Sequence, residues 1–319
     1  MTSERVQPGA GRLRVRHLML VQRLAELGSM RKAAESLNVT QPAASAMLKE
    51  VESQLGTTLF ARSRTGVTPT DVGKALLRRV RIVLNEVDAL AEDLRDPLGH
   101  RPLVRLGTVP HAHLGILQGL AAYCVKAGQF RLRLQEGPSP LLVEMLLAGE
   151  LDAFIGRLPT TPGSTTFPAV IRHQHLYEEP MCIACGVNHR LARARHITVD
   201  DLGACHWVLP SQESLSRRAL EGAFLLHGLA APTPLLEVSS FVYGLEMVAH
   251  SSVLTVAPRT AIRTFERQGL VRILKTALQM KPTPIYWMRR RSSEGDVVLD
   301  GLEQWVLRNC RKEGMAPRD

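Results

Sequence analysis

From Gly28 to Ser45 the chain reads Gly-Ser-Met-Arg-Lys-Ala-Ala-Glu-Ser-Leu-Asn-Val-Thr-Gln-Pro-Ala-Ala-Ser, an order that few folds accommodate. Gly28 stops a preceding helix in which Leu18, Val21, Leu24 and Ala25 recur at helical spacing. Ser29 is a good N-cap for a short helix from Met30 to about Leu37. Asn38 and Val39 make the turn, and Thr40 caps a third helix through Ala44, Met47 and Val51 to Leu55. Pro42 fits the first turn, where an N–H has no helical partner. Ala33 and Ala34 are small enough for the second and third helices to cross closely. The third helix then shows Gln41, Ser45 and Lys49 on a polar face, while Ala44, Met47 and Leu48 point inward or toward a partner. Gln can read an adenine edge, and Ser or Lys can contact base or phosphate in a major groove. The plainer alternative is a three-helix bundle with a solvated face.

Gly56 ends the third helix. Residues 57–67 read as a hairpin anchored by Leu59 and Phe60, with Arg62 and Arg64 ahead of Gly66, placed to reach a backbone or a minor groove. A long helix over 70–95 carries Leu76, Leu77, Val80, Val83, Leu84, Val87 and Leu90 along one stripe. Pro97, Gly99 and Pro102 break it. Beyond them, strands at 103–107, 132–135, 151–155, 181–184, 207–209, 235–238, 253–256, 271–274 and 285–288 alternate with helices at 115–127, 141–147, 214–227, 241–250 and 258–268. This alternation predicts an α/β body with largely parallel sheets.

Charge divides the same way. Residues 1–81 hold 14 Lys and Arg against 6 Asp and Glu, whereas the remaining 238 hold 26 against 24. A basic head on a near-neutral body suits a phosphate-rich partner, although solubility alone also explains basic charge. No window approaches the ~20 apolar residues of a membrane span, and the first 16 residues lack the apolar run of a signal peptide. Five scattered cysteines do not read as a disulfide framework. The expected compartment is the cytoplasm.

The run from Leu18 to Gly73 resembles the DNA-binding domain of LysR-type transcription regulators. The matching words are Gly28-Ser29, Ala33-Ala34-Glu35-Ser36-Leu37, Thr40-Gln41-Pro42-Ala43, Ser45, Glu52, Leu55-Gly56, Leu59-Phe60, Arg62 and Thr70-Asp71-Val72-Gly73. The body resembles that family's effector domain at Leu103 to Gly107, Glu136-Gly137, Gly149-Glu150-Leu151-Asp152 and His189-Arg190-Leu191-Ala192. The resemblance implies an N-terminal all-α winged helix-turn-helix plus a long linker helix, and a C-terminal α/β domain of two subdomains like a periplasmic binding protein. Boundaries follow at 12–69, 70–97 and 98–319, with subdomain I about 101–174 and 277–306 and subdomain II about 175–276. It also implies a regulator rather than an enzyme, without a cofactor. Its partners would be a roughly palindromic promoter, a small-molecule effector, RNA polymerase, and further copies of the chain in a dimer or tetramer. Arg105-Leu106-Gly107-Thr108-Val109-Pro110, Glu136-Gly137-Pro138-Ser139 and Gly156-Arg157-Leu158 are most similar to members sensing sugars or aromatic acids. Those members usually carry Asp where this chain has Pro140.

On this reading the DNA-binding set is Ser29, Met30, Arg31, Gln41, Pro42, Ser45, Lys49, Arg62 and Arg64. In an open α/β sheet, ligands collect at strand carboxyl ends, where helix starts offer free N–H groups. Four such junctions pair a hydroxyl with a helix start, although Ser and Thr cap helices without any ligand. The family's effector contacts fall at them, giving Thr108, Val109, His111, Ser139, Ser211, Ser240 and Val242. Cys182 and Cys185 form a CxxC inside an apolar strand, where residues three apart face opposite sides. Buried structural cysteines are therefore expected, not a zinc or redox pair. A peroxide sensor of the family has a cysteine where this chain has Ser214. His111 with His113, and His173 with His175 at an expected crossover, lack companion ligands and read as solvated or capping groups. No Gly-x-Ser-x-Gly elbow or phosphate loop occurs. The run Arg289-Arg290-Arg291 reads as a solvated strand end.

Overall fold

The computed structural model describes residues 13–63, 66–94, 101–110, 116, 119–158, 168–212 and 214–312. Its first compact unit comprises the described residues up to Arg105 together with Val143–Asp152. Three helices open it: α1 (Val15–Leu27), α2 (Met30–Ser36) and α3 (Gln41–Leu55). Gly28 takes φ 61°, which returns its N–H to Leu24 O. Ser29 Oγ accepts from Lys32 N and Thr40 Oγ1 from Ala43 N, satisfying donors that each first turn leaves open. Asn38 sits at φ 52°, a conformation that Asn tolerates better than most residues and one the tight turn requires. Ala33, Ala34 and Ala44 are buried where the helices meet, with Leu20, Leu24, Leu48 and Val51 around them.

Strands β1 (Phe60–Ser63) and β2 (Gly66–Pro69) form the expected antiparallel hairpin. It is tied on both flanks. Glu52 Oε1 accepts the N–H groups of Leu59 at 2.7 Å and Phe60 at 3.2 Å, and Val67 N donates to Gly28 O at 2.9 Å. Helix α4 (Asp71–Asp93) starts directly from β2. Thr70 Oγ1 donates to Thr58 O at 2.9 Å and accepts from Gly73 N at 3.1 Å, and Thr70 N donates to Leu59 O. Gly73 leaves no room for a side chain, because a Cβ there would overlap Leu59 O.

The stripe on α4 divides in two. Leu77, Val80 and Leu84 are buried in the helical core, whereas Val83, Val87 and Leu90 are exposed at 44%, 37% and 64%. Further along, α4 packs on the turn after α6 (Ser139–Ala148): Asn85 Nδ2 donates to Ala148 O at 2.8 Å, and Gly149, at φ 79°, lies against Ile82. Asp93 Oδ1 accepts the Leu103 N–H, and Asp152 receives the Arg105 backbone N–H and guanidinium together.

The second unit contains two five-stranded sheets. The first has the order β4-β3-β5-β12-β6, from β3 (Leu103–Thr108), β4 (Arg131–Glu136), β5 (Ala153–Gly156), β6 (Ile171–Glu179) and β12 (Thr283–Arg290). The second has the order β11-β7-β10-β8-β9, from β7 (Met181–Gly186), β8 (His206–Pro210), β9 (Leu236–Val238), β10 (Val253–Pro258) and β11 (Val271–Ile273). Helices α5 (Leu120–Ala127), α7 (Val199–Gly203), α8 (Leu215–Leu226), α9 (Phe241–Ala249), α10 (Arg259–Arg267) and α11 (Val297–Lys312) complete it.

Three sequence expectations are corrected. The sheets are mixed rather than largely parallel: β3–β5, β8–β9 and β8–β10 run parallel, but β6, β7, β11 and β12 pair antiparallel with their neighbours. The first crossover falls at Pro180, not near 174, because β6 stays in the first sheet through Glu179. Its polar run Arg172-His173-Gln174-His175 hides an edge strand, which needs apolar side chains on one face only. Third, Arg289 and Arg290 are not solvated: they lie buried in β12, with Arg289 held by Asp300 and Glu303 of α11. His173 and His175 sit within β6 and place their rings edge-on to Tyr286.

Gly73→Ala is expected to cost about 1–3 kcal/mol in urea unfolding, as forced overpacking does. An unchanged midpoint would mean that the Leu59 carbonyl can give way.

Candidate functional site

Helix α3 is anchored by Ala44, Leu48 and Val51, which fixes which of its residues face out. Gln41, Pro42 and Lys49 are exposed and Ser45 is half-buried; Gln41, Pro42 and Ser45 lie in the first two turns, where a recognition helix meets base edges, and Lys49 one turn further along. Arg31 on α2 is also exposed, paired with Glu35 at 3.3 Å, and Lys32 beside it, which the sequence reading passed over, is open. Ser29 is half-buried and occupied as a cap. Met30 corrects the expected set. Its side chain is 8% exposed and belongs to the helical core, so the first residue after the cap turns inward. Arg62 lies on β1 at the hairpin, and Arg64 falls outside the described residues. Glu52 is the functional residue whose role the sequence reading left unassigned: it holds the hairpin that carries Arg62 against α3.

At the first sheet, Thr108 ends β3 nearly buried, and its hydroxyl donates to Val109 O at 3.2 Å. Val109 N donates to Ile155 O, and Gly137 N donates to Thr108 O at 3.1 Å, which brings the turn before Ser139 against the end of β3. Gly156 stays small because a Cβ would press on Val109 at 2.9 Å. His111 falls outside the described residues. At the second sheet, the pairing of Pro210 with Val238 sets the carboxyl ends of β8 and β9 side by side, so Ser211 and Ser240 leave neighbouring strands. Ser240 caps α9 by accepting from Val242 N at 3.3 Å. Ser211 does not cap α8; Ser214 does, accepting from Arg217 N at 3.2 Å, while Ser211 supplies its carbonyl to Ser214 N. Each sheet thus gathers two of the expected junctions.

The sheets join at Pro180. Buried Glu179 accepts from Thr260 N and from Thr260 Oγ1 at 2.9 Å, and Arg259 N donates to Pro180 O. Burial raises the Glu179 carboxyl above the usual carboxylate range, against the lowering pull of the Thr260 bonds and Arg157. Burial likewise lowers the Arg157 guanidinium, with Glu179 opposing it. Arg217 is a further buried cation, bonded to Glu221 at 2.6 Å.

The CxxC carries no site. Cys182 packs with Val208 and Val248 on one face of the sheet and Cys185 with Trp207 and Leu254 on the other. Burial pushes the Cys185 thiol up to about 11, far from a reactive thiolate. Among the described residues no three metal-ligating groups cluster, and no helix is long and apolar enough to cross a membrane.

Residues 15–74 match the family described as bacterial regulatory helix-turn-helix protein, lysR family, and residues 98–311 match the LysR substrate binding domain. The chain belongs to the LysR family of transcription regulators: it binds DNA through its helix-turn-helix, carries an effector-binding domain and is not an enzyme. It is similar to the HTH-type transcriptional regulator GbpR of Azospirillum brasilense, 32% identical over 286 residues covering 88% of this chain and 82% of the relative. It is also similar to the HTH-type transcriptional regulator GalR of Pseudomonas putida, 28% identical over 277 residues, or 86% and 68% of the two chains. A full-length OxyR structure from Pseudomonas aeruginosa shares the fold at a TM-score of 0.60, with 21% identity across 94% of this chain and 95% of that one.

Glu52→Ala is expected to lower stability by about 2 kcal/mol, because it strands two N–H groups bonded to a charged acceptor. It should also weaken specific and nonspecific DNA alike in a fluorescence-anisotropy titration. Wild-type stability would show that the hairpin holds without it.

Proposed function

We propose that the chain reads one operator half-site with Gln41, Pro42, Ser45 and Lys49, supported by Ser29, Arg31 and the hairpin arginines Arg62 and Arg64. Residues 12–69 act as the reader and 70–97 as the linker that pairs two readers. The observation that carries this reading is the split of α3 into a buried apolar face and an open polar one. Exposed Val83, Val87 and Leu90 give α4 a seam for a second copy, at the spacing of successive helical turns. Residues 98–319 sense a small molecule, a sugar or an aromatic or other organic acid, through Thr108, Val109, His111, Ser139, Ser211, Ser240 and Val242. The hydroxyls and helix-start N–H groups at these junctions suit a polyhydroxyl or carboxylate ligand. The regulator acts in the cytoplasm, where promoter and RNA polymerase are found.

Gln41→Ala should weaken operator binding by about 1–3 kcal/mol while sparing unrelated DNA. Arg64→Ala should weaken both and flatten the salt dependence. Unchanged affinity in both variants would remove α3 and the hairpin from the interface.

Thermal unfolding of the full chain against sugars, aromatic acids and amino acids tests the sensor. A ligand at about 100 times its Kd should add about 2.7 kcal/mol, and Thr108→Ala or Ser139→Ala should abolish that gain. A hit that survives both substitutions would move the effector elsewhere.

A further inference from the structure

The second sheet has another end. Pro258 pairs with Met181 and Leu254 with Cys185, and β10 runs parallel to β8, so Pro210 and Pro258 mark the effector-junction end. Gly186 and Val271 pair at the opposite end. Beyond them, residues 187–194 and 266–275 enclose an open cavity of about 850 Å³. Its apolar surface comes from half-buried Val187, Ala192, Ala194 and Ile273, over Leu191, Val271 and Leu274, which are buried. Its walls carry Arg193, Arg272 and Lys275, all exposed. Among the described residues, none of these three cations has an acidic group within ion-pair distance. The acidic lining residue, Glu266, accepts the Ile273 N–H at 3.4 Å instead.

Three cations against one carboxylate leave the concavity net positive, which raises the local concentration of anions. An inorganic ion would use the charge and leave the apolar surface wet. The volume falls in the ~300–1,000 Å³ range typical of small-molecule sites, and apolar groups share its lining with the charged ones. We propose that this cavity is a second ligand site, separate from the effector junctions, for a small organic anion with an apolar body, such as an aryl or alkyl phosphate or carboxylate. The charged head meets Arg193, Arg272 and Lys275, and the body covers Val187, Ala192, Ala194 and Ile273. Helix α10 links this site to the crossover: Glu266 near its end lines the cavity, and Thr260 at its start is held by Glu179.

The test is calorimetric titration of the full-length protein with phenyl phosphate, with inorganic phosphate as the charge-only control. Phenyl phosphate should bind saturably and about tenfold or more tighter than inorganic phosphate. Arg272→Ala combined with Lys275→Ala should weaken it by about tenfold or more, as loss of charge-assisted contacts does. Both side chains are exposed, so the variant should keep the wild-type unfolding midpoint. No saturable binding, equal affinity for the two probes, or an unaffected double variant would each overturn the proposal. Loss of binding in Thr108→Ala with Ser240→Ala, but not in the arginine–lysine variant, would assign the probe to the effector junctions and overturn it as well.

Discussion

One carboxylate holds the DNA-reading unit in shape. Glu52 reaches from α3 to the backbone of Leu59 and Phe60, and this bond decides where the hairpin stands beside the recognition helix. From there the geometry is inherited. The hairpin returns to Thr70, whose hydroxyl bonds back to Thr58, just ahead of β1, and forward to the first turn of α4. Helix, hairpin and linker are thus joined by backbone groups, with little freedom for one to move without the others. Such a unit presents DNA contacts in a preset arrangement, so affinity is not reduced by ordering a loose loop on binding.

The sensing unit is built for the opposite property. Its two sheets meet at the Pro180 crossover and the buried cluster at Glu179, and the junctions proposed for the effector are divided between them. A ligand that touches both sets favours one relation between them. Regulation requires the ligand to prefer one state, and a tenfold preference corresponds to about 1.4 kcal/mol. Placing Glu179 without solvent at the crossover suits such a balance, because a buried carboxyl tolerates few arrangements of its donors.

The reading unit was legible because its signals are local. Caps at Ser29 and Thr40, stops at Gly28 and Gly56, and the alanine crossing all act within a few residues of themselves. Met30 was misread for the complementary reason: its place beside the cap says nothing of the side on which the core lies. In the sensing unit, strands with apolar runs were found, and β6 was missed because its position at a sheet edge permits polar residues. The buried arginines of β12 were opaque too. Nothing local distinguishes Arg289 from a surface residue until α11 brings Asp300 and Glu303 from the other side of a turn. Ser211 and Ser214 both offer a hydroxyl ahead of α8, and Ser214 takes the cap because it adjoins the first helical residue, Leu215.

The close approach of Gly149 to Ile82 gives α4 a fulcrum. Eleven residues separate Ile82 from the start of the helix at Asp71, an arm of about 17 Å at 1.5 Å per residue. A tilt of about 10° at that pivot sweeps the far end through about 3 Å, close to the rise of one base pair, ~3.4 Å. A side chain at residue 149 would shift the pivot itself. The gap between half-sites that a pair of these arms can span is then a matter of leverage, set far from any base.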